Sequence, residues 1–317
     1  MTKIAFIFPG QGSQQVGMGA NFVEINEDNK AFYHRANEVL NFDLAQIMLQ
    51  GPQEQLTLTY NAQPALLTTG VMIANLLEAQ GITPHYTAGH SLGEYSAFVA
   101  SGVLSFEEAV RIVHKRGLFM EKAVPAGKGA MAAVLAFGAE QLQAICSEVT
   151  QSGQVVEIAN YNCPGQIVIS GTKEGVAQAG LLAKQQGAKR VLPLVVSGPF
   201  HSQLMKEAAE QLAIEVEQLT IQQPRIPVVS NVSSNLLQSM EEIKVEMVQQ
   251  VTSSVQWQQN VEALIAQGVT VFIECGPGKV LSSLVKKISK DVSTYCVYDE
   301  ASLNEVLEAS KGWTQWV

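Results

Sequence analysis

The stretch that most constrains this chain is Gly89-His90-Ser91-Leu92-Gly93, which has the pattern G-x-S-x-G. A short extended run, Tyr86-Thr87-Ala88, precedes it, and residues 92–100 are small and apolar, as in a buried helix. A serine on a sharp strand-to-helix turn exposes its hydroxyl, and flanking glycines relieve the crowding of such a turn. The context therefore favours Ser91 as a nucleophile over the alternative, an ordinary tight turn.

A second glycine-rich turn lies near the start of the chain. Lys3-Ile4-Ala5-Phe6-Ile7-Phe8 reads as a buried strand, and Pro9-Gly10-Gln11-Gly12-Ser13-Gln14 ends it. Gln15 stands where the third glycine of G-x-G-x-x-G would be, and no Walker lysine follows, so nucleotide binding is not indicated. Two interpretations stay open: a turn that offers backbone N–H groups to a site, and a plain loop.

Composition excludes several classes of protein. The 317 residues are 47% hydrophobic and 15% charged, which suits one large domain or a domain with a smaller insertion. The net charge of −9 argues against nucleic-acid binding, and no apolar run reaches the ~18 residues of a membrane span. Four cysteines without C-x-x-C spacing indicate neither a disulfide framework nor a metal site. The first apolar run is too short for a signal peptide, so we expect a cytoplasmic protein.

The order of the predicted elements indicates two units. Residues 126–198 alternate as strand, helix, strand, strand, helix, strand, which is the βαββαβ order of a ferredoxin-like fold. In residues 1–125 and 199–317, strands alternate with helices, which predicts a mostly parallel sheet covered by helices on both faces. The chain is thus predicted to be an α/β protein with an insertion. Residues 241–267 are expected to be mainly helical, and only a short tail is expected after a final helix at 279–290.

A serine nucleophile needs a base, and His201 is the best placed of the five histidines. It follows Gly198-Pro199-Phe200 at a loop edge, where site residues gather, although a lone histidine is commonly structural. No aspartate lies between Ser91 and His201, so we predict a pair oriented by a neutral acceptor, with a glutamate as the alternative. Such a pair makes an acyl-enzyme, and the N–H groups of Leu92 and of the Gln11 turn are candidate oxyanion donors.

Seven short motifs occur in order along nearly the whole chain. They are Phe8-Pro9-Gly10-Gln11-Gly12-Ser13-Gln14, Gln63-Pro64-Ala65, Gly89-His90-Ser91-Leu92-Gly93-Glu94-Tyr95, Arg116-Gly117 with Met120, Asn160-Tyr161-Asn162, Gly198-Pro199-Phe200-His201-Ser202 and Glu274-Cys275-Gly276-Pro277-Gly278. Together they resemble the malonyl-CoA:acyl carrier protein transacylase family of bacterial type II fatty acid synthesis. The resemblance implies an α/β-hydrolase-like core in residues 1–125 and 199–317, with the ferredoxin-like insert in residues 126–198.

The resemblance also implies a role for each site residue. Ser91 is the expected nucleophile, His201 its base, and the main-chain carbonyl of Gln250 the group that orients the histidine. The backbone N–H groups of Gln11 and Leu92 are the expected oxyanion hole. Arg116 is expected to bind the malonyl carboxylate, although Arg111 and Lys115 lie on the same predicted helix and only the resemblance distinguishes them. The other expected substrate contacts are Gln63, Met120, Asn160, Asn162 and Phe200.

The implied reaction has two halves. Ser91 takes the malonyl group from malonyl-CoA, and the phosphopantetheine thiol of acyl carrier protein then takes it from the serine. We expect no cofactor, no metal and a monomeric enzyme. Three other functions stay open: a serine hydrolase or thioesterase, a methylmalonyl-selective acyltransferase of a polyketide pathway, and a non-catalytic carrier-binding module. Phe200 is bulky and favours malonyl, although one methyl group is worth only roughly 1–3 kcal/mol.

Two basic clusters are candidates for docking the carrier protein, which is generally acidic in this family. One is Lys189-Arg190 in the insert, and the other is Lys286-Lys287 with Lys290 on the last predicted helix. Because the chain itself carries −9, a local basic patch is needed to bring two negatively charged proteins together. The alternative interpretation of each cluster is a solvated face without a partner.

Overall fold

The computed structural model describes residues 2–25, 27–125 and 127–313. Over these residues the strands are β1 Lys3–Phe8, β2 Tyr86–Gly89, β3 Gly129–Leu135, β4 Val156–Cys163, β5 Gln166–Thr172, β6 Arg190–Pro193, β7 Val228–Val229, β8 Leu236–Leu237, β9 Val269–Cys275 and β10 Ser293–Val297. The α-helices are α1 Ala20–Ile25, α2 Glu27–Leu40, α3 Leu44–Gln50, α4 Gln53–Thr57, α5 Thr59–Ala79, α6 Leu92–Ala100, α7 Phe106–Ala123, α8 Ala139–Gln151, α9 Lys173–Gln185, α10 Lys206–Val216, α11 Met240–Gln249, α12 Trp257–Ala266, α13 Val280–Ile288 and α14 Glu300–Ser310.

Six strands form one sheet in the order β10-β9-β1-β2-β7-β8. Neighbouring strands are parallel except β7 and β8, which pair antiparallel. Residues 4–8 of β1, at the centre, are all apolar and fully buried. A parallel strand covered by helices on both faces requires such a continuous apolar run, because neither face meets water. The predicted α/β class with a mostly parallel sheet is confirmed.

The other four strands form an antiparallel sheet in the order β4-β5-β3-β6. Along the chain its elements run β3-α8-β4-β5-α9-β6, the βαββαβ order expected of a ferredoxin-like unit. Leu142 and Ile145 of α8 and Val176 of α9 pack on the sheet in an apolar cluster separate from that of the larger sheet. The division at 126 and 198 stays a prediction, and residue 126 lies outside the described residues.

One expectation about the C-terminal half was wrong. The tail after the last predicted helix contains an edge strand, β10, and a helix, α14, whose first turn Asp299 caps by accepting from the Ser302 N–H at 2.8 Å. The half-buried strand β10 carries no continuous apolar run, so its sequence resembles a loop. Residues 241–267 are mainly helical, as expected, in two helices separated at Gln250–Gln256, and the break places the Gln250 carbonyl at the C-terminal end of α11.

The register of the two central strands brings both glycine-rich turns to one edge of the sheet. Phe8 pairs with Gly89, so β1 and β2 end side by side and the chain enters each turn at the same level. A Cβ atom on Gly10 would lie 2.5 Å from the His90 carbonyl oxygen, so only glycine fits between the turns. The carboxyl ends of parallel strands are where open α/β sheets bind ligands.

Candidate active site

Ser91 lies in a backbone conformation that few side chains adopt. It occupies the N-cap position of α6 with φ 52° and ψ −110°, and its side chain does not cap the helix. The turn is compact, since a Cβ atom on Gly89 would lie 1.9 Å from Gly93 and one on Gly93 would lie 2.0 Å from the Phe8 carbonyl oxygen. Strain of this kind, of order 1–3 kcal/mol, persists only where surrounding contacts impose it, and it is common at active sites.

Asn231 holds the serine turn from the neighbouring strand. Its Oδ1 accepts from the Ser91 N–H at 2.7 Å, and its Nδ2 donates to the Gly89 carbonyl at 2.6 Å. None of the sequence motifs includes this residue. The available signal was positional: Asn231 follows β7, which lies beside β2 in the parallel sheet, so both strands end at the same edge.

His201 contacts the serine directly. Its Nε2 is 2.7 Å from Ser91 Oγ, and its Nδ1 is 2.8 Å from the Gln250 carbonyl oxygen. A carbonyl only accepts, so Nδ1 carries the hydrogen and Nε2 is left to accept from the serine hydroxyl. Burial and the positive charge of Arg116 lower the pKa of His201 to about 3. The imidazole is therefore neutral at neutral pH and ready to take a proton.

Arg116 lies beside the same hydroxyl, at 1% exposure. Its Nη2 donates to Gln250 Oε1 at 2.7 Å and to Ser91 Oγ at 3.3 Å, while Nη1 donates to Gln63 Oε1 at 2.9 Å. Gly117 permits this arrangement, because a Cβ atom there would lie 2.6 Å from the Tyr60 Cα and would push α7 away from α5. The guanidinium thus forms a bridge between the nucleophile and two glutamine amides.

The charge of Arg116 is not neutralised by an ion pair. Over the described residues, no carboxylate oxygen lies within 4.0 Å of its nitrogens, and its Nε has no hydrogen-bond partner. Burial lowers the pKa of Arg116, yet guanidinium groups stay protonated in proteins. The other two cations of α7 differ: Arg111 is exposed, and Lys115 pairs with Glu215 at 2.6 Å.

The Leu92 and Gln11 N–H groups belong to the two glycine-rich turns. Neither donates to a backbone or side-chain acceptor within residues 2–25, 27–125 and 127–313. The Gln11 side chain is held separately, donating to Thr59 Oγ1 at 3.2 Å, and that hydroxyl lies 2.7 Å from Ser197 Oγ. Both backbone donors are therefore available to an oxygen anion beside Ser91.

A cavity of about 260 Å³ lies between the large sheet and the smaller one. Gln11 and His90 line it on one side, and Asn160 and Asn162 of β4 line it on the other. The Asn162 Oδ1 atom is 2.9 Å from His90 Nε2, which links the serine turn to the smaller sheet. A larger cavity of about 420 Å³ lies against α9 and contains none of the predicted site residues.

Met120 and Phe200, the two bulky predicted contacts, are both buried. The Met120 sulfur accepts from Gln63 Nε2 at 3.7 Å, so it lies on the side of Gln63 that faces away from Arg116. The ring of Phe200 lies against Gly198, 3.2 Å from where a Cβ atom would be, and the Met120 carbonyl oxygen is 3.8 Å from the same point. The apolar side chains of Met120 and Phe200 therefore lie close to the polar side chain of Gln63.

The two basic clusters lie at one end of the smaller sheet. Lys287 of α13 donates to Gln166 Oε1 at 3.3 Å, and Gln166 also lines the 260 Å³ cavity. Gln166 pairs with Leu135, which pairs with Arg190 on its other side, so Arg190 and Gln166 are two strands apart. Two strand spacings are about 10 Å, so both exposed clusters lie near Gln166 and the part of the cavity that it lines.

Two negative findings concern only the part of the chain that the structure describes. Among those residues, no group of three or more histidine, cysteine, aspartate or glutamate side chains is placed to hold a metal ion. Within the same ranges, no helix combines the length and apolarity needed to cross a membrane.

Comparison with known proteins identifies the family. Residues 5–304 match the model of the acyl transferase domain. A malonyl CoA-acyl carrier protein transacylase of Bacillus subtilis (strain 168) is 51% identical over 311 residues, 98% of each chain. The chain belongs to the malonyl-CoA:acyl carrier protein transacylase family. Membership of this family makes the protein an acyltransferase.

Solved structures of the family have the same fold. An acyl carrier protein S-malonyltransferase from Vibrio cholerae O1 biovar eltor matches with a TM-score of 0.94 and 45% identity, over 96% of this chain and 100% of that one. One chain from a type II PKS acyl-carrier protein in complex with its malonyl-transacylase matches with a TM-score of 0.95 and 44% identity, over 97% of this chain and 100% of that one.

Proposed function

We propose that this protein transfers the malonyl group from malonyl-CoA to the phosphopantetheine thiol of an acyl carrier protein, and so supplies fatty acid elongation. The observation that carries the proposal is the buried guanidinium of Arg116, 3.3 Å from Ser91 Oγ and without a carboxylate partner among the described residues. A buried positive charge beside a nucleophile favours an acyl group that ends in a carboxylate. Malonyl is such a group, and the names of the relatives support the same substrate.

In the first half-reaction, Ser91 Oγ attacks the thioester carbonyl of malonyl-CoA while its proton passes to His201 Nε2. The Gln250 carbonyl, 2.8 Å from Nδ1, keeps that nitrogen protonated and steadies the imidazolium that forms. The Leu92 and Gln11 N–H groups stabilise the oxyanion. The carbon–sulfur bond then breaks, His201 returns the proton to the sulfur of CoA, and malonyl-Ser91 remains.

In the second half-reaction, the roles repeat with a different thiol. His201 takes the proton of the phosphopantetheine thiol, and the sulfur attacks the ester carbonyl of malonyl-Ser91. The ester bond breaks, the proton returns to Ser91 Oγ, and malonyl-carrier leaves. This cycle needs no third acid, because the Gln250 backbone carbonyl orients the histidine without carrying charge.

Selection of the acyl group rests on two sets of residues. Arg116, oriented by Gln63, binds the carboxylate through two hydrogen bonds. Its Nε–H group is available for one of them, because it has no hydrogen-bond partner in the described chain. Phe200 and Met120 limit the space beside it and disfavour methylmalonyl. Asn160 and Asn162 line the cavity through which the thioester arm reaches the serine.

The carrier protein docks, in our proposal, on the two basic clusters beside the cavity. Lys189-Arg190 and Lys286-Lys287 provide local positive charge on a chain of net charge −9. Their position at the cavity side of the smaller sheet supports this assignment, since the phosphopantetheine arm must reach Ser91 from a carrier held near the mouth. The proposed chemistry consumes no cofactor, and monomeric action in the cytoplasm stays a prediction.

Mass spectrometry of the intact protein after exposure to malonyl-CoA alone tests the proposal. We expect a malonyl adduct on Ser91 in the wild type and no adduct in Ser91→Ala. Ser96→Ala, a buried serine one turn along α6, is the matched control and should keep the adduct. Lack of any adduct would indicate a carrier-binding module, and rapid hydrolysis of the adduct without carrier would indicate a hydrolase.

A further inference from the structure

Glu94, in the first turn of α6, is fully buried directly behind the nucleophile. Its Oε2 accepts from Gln250 Nε2 at 2.6 Å, and its Oε1 accepts from the Asn231 N–H at 2.7 Å. A glutamate three residues after an N-cap serine ordinarily returns to cap that serine. Glu94 instead contacts the two residues that hold the histidine and the serine turn.

Glu94 fixes which way the Gln250 amide points. The amide Nε2 donates to Glu94 and, at 3.0 Å, to the Ser91 carbonyl, while its Oε1 accepts from Arg116. Rotation of this amide by 180° would place an NH₂ group against the guanidinium and an oxygen against two oxygens. Glu94 Oε2 and the Ser91 carbonyl oxygen both face the amide as acceptors, so together they exclude that orientation.

A second buried carboxyl lies against the first. Glu246 is a near neighbour of Glu94, and it accepts from Ser230 Oγ at 2.6 Å and from the Val232 N–H at 3.0 Å. Burial raises the pKa of Glu94, and the neighbouring Glu246 raises it further. Each of the two Glu94 oxygens faces an N–H donor, Oε1 that of Asn231 and Oε2 that of Gln250, so both act as acceptors toward these residues.

We infer that Glu94 is a positioning residue that holds the Arg116 guanidinium, through the Gln250 amide, in the orientation that binds the substrate carboxylate. The chain of contacts runs from Glu94 Oε2 to Gln250 Nε2, across the amide to Oε1, and on to Arg116 Nη2. This inference deepens the proposed function and rests on it, because it assigns how selectivity for a carboxylate-bearing acyl group is built.

Glu94→Gln tests the inference with almost no change in volume. The new amide must present its NH₂ group to one of two N–H donors, Gln250 or Asn231. The Asn231 donor is fixed backbone, so Gln250 turns and its NH₂ group faces Arg116. We expect kcat/KM for malonyl-CoA to fall about 10- to 100-fold, as for a buried polar group left unpaired, and the slow transfer of acetyl from acetyl-CoA to change by less than about threefold.

Glu246→Gln is the matched control. It removes the other carboxyl group of the same buried pair, but it leaves the Glu94 carboxyl and its contacts with Gln250 and Asn231 in place. We expect the malonyl-to-acetyl ratio of this variant to stay within about threefold of wild type. If Glu94→Gln does not fold, as judged by thermal unfolding, Glu94→Asp provides the comparison, with a smaller loss in the same direction.

A double-mutant cycle with Arg116→Ala separates positioning from a general structural role. In the Arg116→Ala background, Glu94→Gln should not change the malonyl-to-acetyl ratio further, because the group that it positions is gone. Equal losses for both substrates, or the same loss in Glu246→Gln, would overturn the inference. Wild-type protein that transfers no malonyl would overturn the proposed function instead, so the two failures are distinguishable.

Discussion

Two regions near the Ser91 turn, one inside the core and one at the surface, are built in opposite ways. On the core side, Arg116, Gln250 and Glu94 are buried and joined by hydrogen bonds of 2.6–2.7 Å. On the outer side, Lys189 and Lys286 are exposed, and the clusters they belong to contact the fold through few side-chain bonds. On the core side, the positions of the polar groups are fixed by hydrogen bonds. On the outer side, only the positive sign of the charge is fixed.

The difference indicates which substrate each side recognises. Removing one partner of a buried charge pair costs roughly 2–5 kcal/mol, whereas an exposed pair contributes about 0–1 kcal/mol. A small acyl group offers few atoms, so its recognition needs the buried type of contact. A carrier protein offers a wide surface, so many weak contacts suffice to bring it in and to release it after transfer.

Arg116→Ala should give the largest effect, because it removes the buried charge. We expect kcat/KM for malonyl-CoA to fall at least a hundredfold, within the roughly 30- to several thousand-fold span of a buried charge pair, while acetyl-CoA loses little or gains. Arg116→Lys should recover only part, since an ammonium does not form two parallel hydrogen bonds. Steady-state kinetics with both CoA esters measure this.

The exposed Arg111, five residues earlier on α7, supplies the control for that substitution. Arg111→Ala should leave both substrates within about twofold of wild type, as an exposed side chain without a buried partner. A selective loss of malonyl transfer in Arg111→Ala, with none in Arg116→Ala, would contradict the distinction between the two cations.

Charge reversal on the outer side should give a smaller effect. Changing Lys189, Arg190, Lys286 and Lys287 to glutamate should raise KM for the carrier protein about tenfold at low salt and less at high salt, because rim charges act mainly on association. KM for malonyl-CoA should change little. Arg111→Glu with Lys311→Glu is a control for added negative charge elsewhere, and an equal rise in that control would count against docking at the clusters.

The smallest expected effect is on the rate of Ser91 acylation at acid pH. Neutral His201 is the reactive form, and its pKa of about 3 means that acylation by acetyl-CoA should not decline as pH falls from 8 to 6. Arg116 contributes to that low pKa, so Arg116→Ala should raise the pKa and move the acid decline to higher pH. Stopped-flow acylation between pH 4.5 and 8 measures both. If the acid decline of the acylation rate lies at the same pH in Arg116→Ala as in the wild type, burial alone sets the pKa of His201.

The same shift affects stability in a defined direction. His201 has a lower pKa folded than unfolded, so between the two values the unfolded chain binds more protons. This contribution to the free energy of unfolding is therefore complete above about pH 6.5 and is lost as the pH falls below that value. The raised pKa values of Glu94 and Glu246 act in the opposite direction, because the folded chain binds more protons than the unfolded chain once the pH exceeds the ordinary glutamate value.

Much of the fold was predictable because local patterns and tertiary structure agree. The apolar run of β1 and the alternation of strands with helices predict the parallel sheet, and the G-x-S-x-G turn predicts Ser91 at its edge. Strand β10 was missed because an edge strand needs no continuous apolar run. Asn231 and Glu94 were missed for another reason: they act only after residues distant in the chain have come together.

The resemblance also supplied what spacing alone could not. Three cations lie on α7, and only in the folded protein does Gly117 bring one of them, Arg116, against α5 while Arg111 faces water. Gln250 was harder still, because its backbone carbonyl is the group that faces His201 and any residue type carries one. The identity of the side chain therefore does not indicate this role.

The left-handed backbone of Ser91 has a consequence for the life of the chain during synthesis. That conformation depends on contacts with Phe8, Gly93 and Asn231, so the segments that impose it span more than two hundred positions. Contacts of such long range form late in folding. A nascent or partly unfolded chain therefore carries an ordinary, unreactive serine. Only folded molecules become acylated on Ser91. The amount of label that a cell extract takes up from malonyl-CoA would therefore measure how much of the protein has finished folding.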